Sequence, residues 1–101
     1  MIVHQVFFWL KNPASAADRA TLIEGVKSLG QIEGVHNLVV GVPAATEPRP
    51  VIDSSYDVSE LMYFDSLAAQ EHYQNHPLHQ QFIRDCGPLW QKVLVYDFEA
   101  V

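Results

Sequence analysis

Histidine is the side chain best suited to exchange protons near neutral pH, and three of the five histidines in this chain, His72, His76 and His79, lie in one short segment. His72 and His76 have the spacing of two metal ligands on one turn of a helix. However, Pro77 follows His76 directly, and a proline disfavours helical geometry at the residue before it. The segment also contains no cysteine. We therefore predict no metal site here, and expect His76 to start a helix by hydrogen-bonding to the local backbone.

A histidine, an aspartate and a tyrosine from separate segments could together carry acid-base chemistry. A histidine such as His79 can accept a proton at neutral pH. A carboxylate such as Asp97 on its other ring nitrogen would fix the tautomer and stabilise the imidazolium. The hydroxyl of Tyr73 could donate a hydrogen bond to a carbonyl oxygen that is becoming an enolate. The spacing alone does not bring these groups together, and in the alternative interpretation Tyr73 only packs its ring and Asp97 ends a solvated strand.

Length and charge narrow the classes of function. The chain has 101 residues, which suits one domain over residues 1–101. Its formal net charge is -6, and its 6 basic residues are scattered along the sequence. Binding to nucleic acid or to an anionic membrane needs several cations on one face, so neither is expected. A single cysteine, Cys86, excludes an intrachain disulfide. Because the N-terminal segment lacks a signal-peptide layout, we expect a cytoplasmic protein.

Hydrophobic periodicity predicts strands and helices in the order β-α-β-β-α-β, with the second helix interrupted at His76-Pro77. This is the ferredoxin-like α+β arrangement, in which helices cover one face of a four-stranded antiparallel sheet. Ser15 is the expected N-cap of the first helix, and Asp65 or Ser66 that of the second. The predicted strands are Ile2–Leu10, Val35–Val42, Ser55–Phe64 and Trp90–Phe98, and a proline-rich loop spans Pro43–Pro50.

Both faces of the first predicted strand are largely apolar. Val6 and Phe8 alternate with Phe7 and Trp9, so both sides should be covered. One side meets the helices. An apolar patch on the other side is typical of an association surface, and we predict that two copies pair through it into a barrel-like homodimer.

Several segments resemble the Dabb family of stress-responsive α/β-barrel proteins. These are the first strand with His4, the third strand ending in Tyr63-Phe64-Asp65-Ser66, the run from His72 to Phe82, and the last strand from Lys92 to Phe98. The most specific part is Tyr73-x-x-His76-Pro77-x-His79-x-x-Phe82. The resemblance covers nearly the whole chain. It implies a ferredoxin-like subunit that dimerises through its sheet.

The pattern of one member, the polyketide cyclase olivetolic acid cyclase, matches in part. It implies a catalytic His79 backed by Asp97, with Tyr73 before the histidine-proline turn and His4 on the first strand. The cyclase has a further pocket histidine on the third strand, where this chain has Val58. The resemblance therefore does not carry over the polyketide substrate.

Taken together, the residues and the resemblance predict a pocket for a small, mostly apolar ligand with a carbonyl group. Its chemistry would be proton transfer or aldol-type cyclisation with no cofactor and no metal. His79 would be the base, Asp97 its orienting partner, Tyr73 the hydrogen-bond donor and His4 a polar group of the pocket. Two alternatives stay open: a dimeric accessory protein without catalysis, and a cofactor-free monooxygenase of the related ferredoxin-like dimers.

Overall fold

The computed structural model describes residues 1–101 and has helices packed on one face of a four-stranded antiparallel sheet. The elements are β1 (Ile2–Leu10), α1 (Ala16–Ser28), β2 (His36–Gly41), β3 (Val58–Phe64), α2 (Leu67–Asn75), α3 (Pro77–Cys86) and β4 (Trp90–Glu99). The strand order across the sheet is β2-β3-β1-β4. The predicted ferredoxin-like α+β fold, including the divided second helix, is confirmed.

The helices begin where the capping residues of the sequence place them. Ser15 Oγ accepts a hydrogen bond of 3.1 Å from the backbone N–H of Asp18, at the start of α1. Ser66 Oγ caps α2 in the same way. His76 Nδ1 accepts a 3.0 Å hydrogen bond from the backbone N–H of Leu78 and so caps α3. His76 therefore has the predicted role of helix start, and it is what separates α2 from α3.

The core lies between the sheet and the helices. Side chains along β1 point alternately to the helices and to the other face of the sheet. Val6 and Phe8 point to the helices and are buried in the core. Gly25 lets these two helices approach closely, because a Cβ atom there would lie only 2.6 Å from Cys86 Sγ. Cys86 is a buried free thiol.

Three predicted strands differ from the structure at their ends, and β4 does so only by continuing one residue further, to Glu99. Strand β3 starts at Val58 rather than Ser55, because Asp57 turns its carboxylate to the backbone N–H of Leu10 at 2.8 Å. Strand β2 is shorter than predicted and irregular: Asn37 has a positive φ of 51°, and the register with β3 shifts between His36 and Val39. This bulge puts His36 on the same side of the sheet as Val39, so the side chains of β2 do not alternate regularly.

The second face of the sheet has no helix over it. It carries a patch of large apolar side chains, which we call the open sheet face and which includes Val39, Tyr96 and Phe98, exposed by 59%, 56% and 51%. Phe7 lies near its centre and contacts Tyr96 edge to face, with ring centroids 6.3 Å apart. In addition, none of the helices has both the length and the apolar character needed to cross a membrane.

Candidate functional site

His4 and Asp97 form the closest polar pair in the molecule's interior. They lie opposite each other on β1 and β4, and His4 Nδ1 is 2.5 Å from Asp97 Oδ1. Gln70 of α2 donates a second hydrogen bond to the same oxygen at 3.0 Å. The predicted bond between Asp97 and His79 is therefore not formed. Strand register decides this, because it makes His4 the direct cross-strand neighbour of Asp97.

The bond to Asp97 fixes the tautomer of His4. A carboxylate accepts hydrogen bonds, so Nδ1 of His4 carries the proton and Nε2 of the neutral ring is an acceptor. This Nε2 lies 3.7 Å from Oε1 of Glu60 on β3. His4 thus stands between two carboxyl groups, one half-exposed at Asp97 and one buried at Glu60.

Glu60 is the most unusual residue of the site. Its side chain is only 2% exposed, and Oε2 has no hydrogen-bond partner in the protein. Burial disfavours the charged carboxylate and raises the pKa of Glu60 to about 8. At neutral pH the side chain is therefore mainly an uncharged carboxylic acid, able to donate a proton.

A cavity of about 190 Å³ opens between the sheet and α3, and Glu60 lines it. His4 and His79 also line it, and the rest of the wall is mostly apolar. Side chains near the cavity such as Ile83 and Val95 are both 45% exposed, which gives this region an apolar surface. The other lining residues are Val6, Phe8, Gln74, Phe82, Trp90 and Val93.

His79 brings a second imidazole to the same cavity. Its Nδ1 is buried without a hydrogen-bond partner. Burial lowers the pKa of His79 below its ordinary value, and a positive charge on His4, when that ring is protonated, lowers it further. His79 is therefore a neutral imidazole at neutral pH, with a lone pair available to accept a proton.

Tyr73 lies behind His79 rather than in the cavity wall. It is fully buried, and its ring contacts those of His79 and His4 with centroids 4.7 Å and 5.9 Å away. Its hydroxyl is buried without a partner, and burial together with the negative charge of Glu60 raises the pKa of Tyr73. The ring fixes the position of both histidines, whereas the hydroxyl does not reach the cavity lining.

This arrangement predicts different results for two substitutions of Tyr73. Tyr73→Phe removes an unsatisfied buried hydroxyl, so we expect stability to be unchanged or to rise by about 1 kcal/mol. Tyr73→Ala removes the ring and should cost about 3–5 kcal/mol. Urea denaturation monitored by circular dichroism measures both. A clear loss of stability in Tyr73→Phe would contradict an unpartnered hydroxyl.

Glu60 was not singled out from the sequence, although the sequence contains a signal for it. In β3 it occupies the helix-facing position between Val58 and Met62, both fully buried. A carboxylate among alternating core residues is rare unless it is paired or functional. The strand pattern therefore marks Glu60 as a candidate site residue.

A sequence model of one protein family matches residues 2–100 of the chain, and its description is Stress responsive A/B Barrel Domain, or Dabb. The chain belongs to the Dabb family. A Dabb protein with a ferredoxin-like fold from Mesorhizobium loti is 30% identical over 99% of this chain and 96% of its own, with a TM-score of 0.79. Membership of the Dabb family agrees with the predicted fold. The matched residues include all those that line the cavity, among them His4 and His79.

Two more distant structures share the fold of this Dabb domain. A dimeric ferredoxin-like protein of unknown function from Thermobifida fusca has a TM-score of 0.80 and 18% identity, covering 98% of this chain and 90% of its own. The hydroxynitrile lyase from Passiflora edulis has a TM-score of 0.76 and 17% identity, covering 96% and 90%. A search of curated proteins found no match.

Proposed function

We propose that this Dabb protein binds a small, mostly apolar carbonyl compound and catalyses proton transfer on it without a cofactor. The observation that carries the proposal is the cavity beside α3, where His4, Glu60 and His79 meet an otherwise mostly apolar wall. An apolar cavity with a few convergent polar groups of altered pKa is the usual form of a small-molecule site. The same fold also serves an enzyme, the hydroxynitrile lyase from Passiflora edulis.

In this proposal His79 is the base. Its ring lines the cavity and has a lowered pKa, so its unprotonated nitrogen can take a proton from the carbon next to the ligand's carbonyl group. Tyr73 holds the His79 ring by its edge contact. Asp97 acts on His4, whose tautomer it fixes, and is therefore a positioning residue. Aldol-type cyclisation, the reaction suggested by the resemblance to olivetolic acid cyclase, would start from the same proton removal.

We also propose that the protein is a homodimer joined through the open sheet face. The apolar side chains Val39, Tyr96 and Phe98 are more than half exposed in one copy, and a second copy would cover them. The dimeric relative from Thermobifida fusca supports this assembly. The net charge of -6 disfavours nucleic acid as a partner, and the single buried thiol is compatible with the proposed cytoplasmic location.

Deuterium exchange tests the proposed chemistry directly. The protein is incubated in D₂O near neutral pD with acetophenone or cyclohexanone, and loss of the proton signal next to the carbonyl is followed by NMR. We expect protein-dependent exchange, and a decrease of about 100-fold or more in His79→Ala, because the base is lost. His72→Ala is the matched control, since His72 is exposed on α2 and does not line the cavity.

The result that would overturn the proposal is equally simple. If the folded wild-type protein exchanges neither ketone faster than buffer does, the cavity performs no proton transfer of this kind. The non-catalytic accessory role would then be the better interpretation. Circular dichroism of each variant ensures that lost exchange is not lost folding.

A further inference from the structure

Glu60 and His79 line the same cavity, and their surroundings shift their pKa values in opposite directions. Burial keeps the proton on Glu60, whereas burial and the nearby His4 keep the proton off His79. Two titratable groups whose environments separate their pKa values in this way form a natural acid and base pair. Each group also has one buried atom without a hydrogen-bond partner in the protein, Oε2 of Glu60 and Nδ1 of His79.

The Glu60 carboxyl group has His4 as a polar neighbour, at a distance beyond that of a hydrogen bond. Its Oε1 faces His4 Nε2 at 3.7 Å, and His4 is anchored in turn by Asp97. Oε2 is buried and has no hydrogen-bond partner in the protein, in a side chain that lines the cavity. The titratable groups around Glu60 are His4 from β1, Tyr73 from α2 and His79 from α3, with Asp97 of β4 acting through His4. No lysine or arginine lines the cavity to hold Glu60 in its charged form.

We infer that Glu60 is the general acid of this cavity, which protonates the ligand's carbonyl oxygen while His79 removes a proton from the adjacent carbon. This inference rests on the proposed function and adds to it a catalytic residue outside the histidine, tyrosine and aspartate predicted from the sequence. It also specifies the ligand class. The compound must be a neutral ketone or aldehyde with at least one hydrogen on the carbon beside the carbonyl, because no lysine or arginine lines the cavity to pair with an anionic group.

The step balances without any other reactant. The C–H bond breaks and its proton goes to the unprotonated ring nitrogen of His79, while the electron pair forms a carbon–carbon double bond. The π electrons of the carbonyl group take the proton of Glu60, so the ligand becomes an enol. Reversal returns a proton to Glu60. In D₂O the imidazolium of His79 exchanges with solvent first, so the carbon receives deuterium.

The matched pair Glu60→Gln and Glu71→Gln tests the inference. Glutamine keeps the size and neutrality of the protonated acid but has no acidic proton, and Glu71 is an exposed carboxylate outside this cavity. We expect Glu60→Gln to lower ketone exchange by about 100-fold or more while the Kd of acetophenone, measured by ligand-observed NMR, changes by less than about threefold. Glu71→Gln should exchange at the wild-type rate.

A pH profile separates an acid from a structural residue. Wild-type exchange should fall as the pH rises through about 8, where Glu60 loses its proton, and Glu60→Gln should lack this fall. Exchange in Glu60→Gln within about threefold of wild type would overturn the inference and leave the proposed function intact. Absence of exchange in wild type would overturn the proposed function, and with it the acid role of Glu60.

Discussion

Replacing Glu60 with glutamine is expected to make the protein increasingly more stable than wild type as the pH rises from about 5 to about 8. The reason is that the buried carboxyl group gives up its proton in the unfolded chain at an ordinary pKa, but in the folded protein only at about 8. Glutamine resembles the protonated acid and has no such transition. Below the ordinary pKa of glutamate, about 4.3, the two proteins should therefore have nearly equal free energies of unfolding.

The sign follows from proton linkage. The folded state of wild type binds one more proton than the unfolded state between the two pKa values, so the contribution of Glu60 to stability is full below the unfolded pKa and is lost as the pH rises through the folded pKa. The loss is about 1 kcal/mol for each pH unit in this window, or several kcal/mol in all. Burial is nearly complete at this side chain, which is why the effect is not weakened by solvent.

Histidines titrate in the same window, and His79 acts in the opposite direction. Its lowered pKa means that its contribution is present at high pH and is lost as the pH falls. The difference between Glu60→Gln and wild type, measured at each pH, cancels this term. Urea denaturation at one fixed protein concentration gives the required free energies, and Glu71→Gln should follow wild type. Parallel curves for wild type and Glu60→Gln would show that Glu60 is ionised in the folded protein.

The parts of the fold that the sequence predicts well are those set by local chemistry. Alternation in β1 and capping by Ser15, Ser66 and His76 depend only on neighbours along the chain, and the structure confirms them. The bulge at Asn37 could not be predicted in this way. It depends on how β2 meets β3, and asparagine gives only a weak preference for a positive φ.

The candidate site shows the same division. The sequence identifies the histidines and Asp97, but which histidine receives Asp97 depends on the register between β1 and β4, and a shift of one residue would turn Asp97 to the other face. Register is a property of the assembled sheet, so the resemblance suggested His79 where the structure has His4. The chemistry of Glu60 likewise arises from burial, which becomes measurable only after the helices cover the sheet.

The second large effect concerns the open sheet face. Tyr96 lies in the middle of β4, opposite Gln5 of β1, with its side chain 56% exposed in a single copy. In the proposed homodimer, Tyr96→Asp would place a carboxylate from each partner in the apolar interface. Burying an unpaired charge costs several kcal/mol, and a symmetric dimer contains the substitution twice, so the dimer Kd should rise by about 100-fold or more.

Light scattering after size-exclusion chromatography measures this change. Wild type should elute with about twice the chain mass of 11.4 kDa and Tyr96→Asp with about that mass. Leu67→Asp is the control, because Leu67 is 70% exposed at the first residue of α2, where an acidic side chain suits the helix dipole. It should stay dimeric. A Tyr96→Asp protein that still runs as a dimer would exclude the open sheet face as the interface.

The cavity, which lies on the opposite side of the sheet, should keep its ketone exchange in either variant, since neither substitution touches its lining.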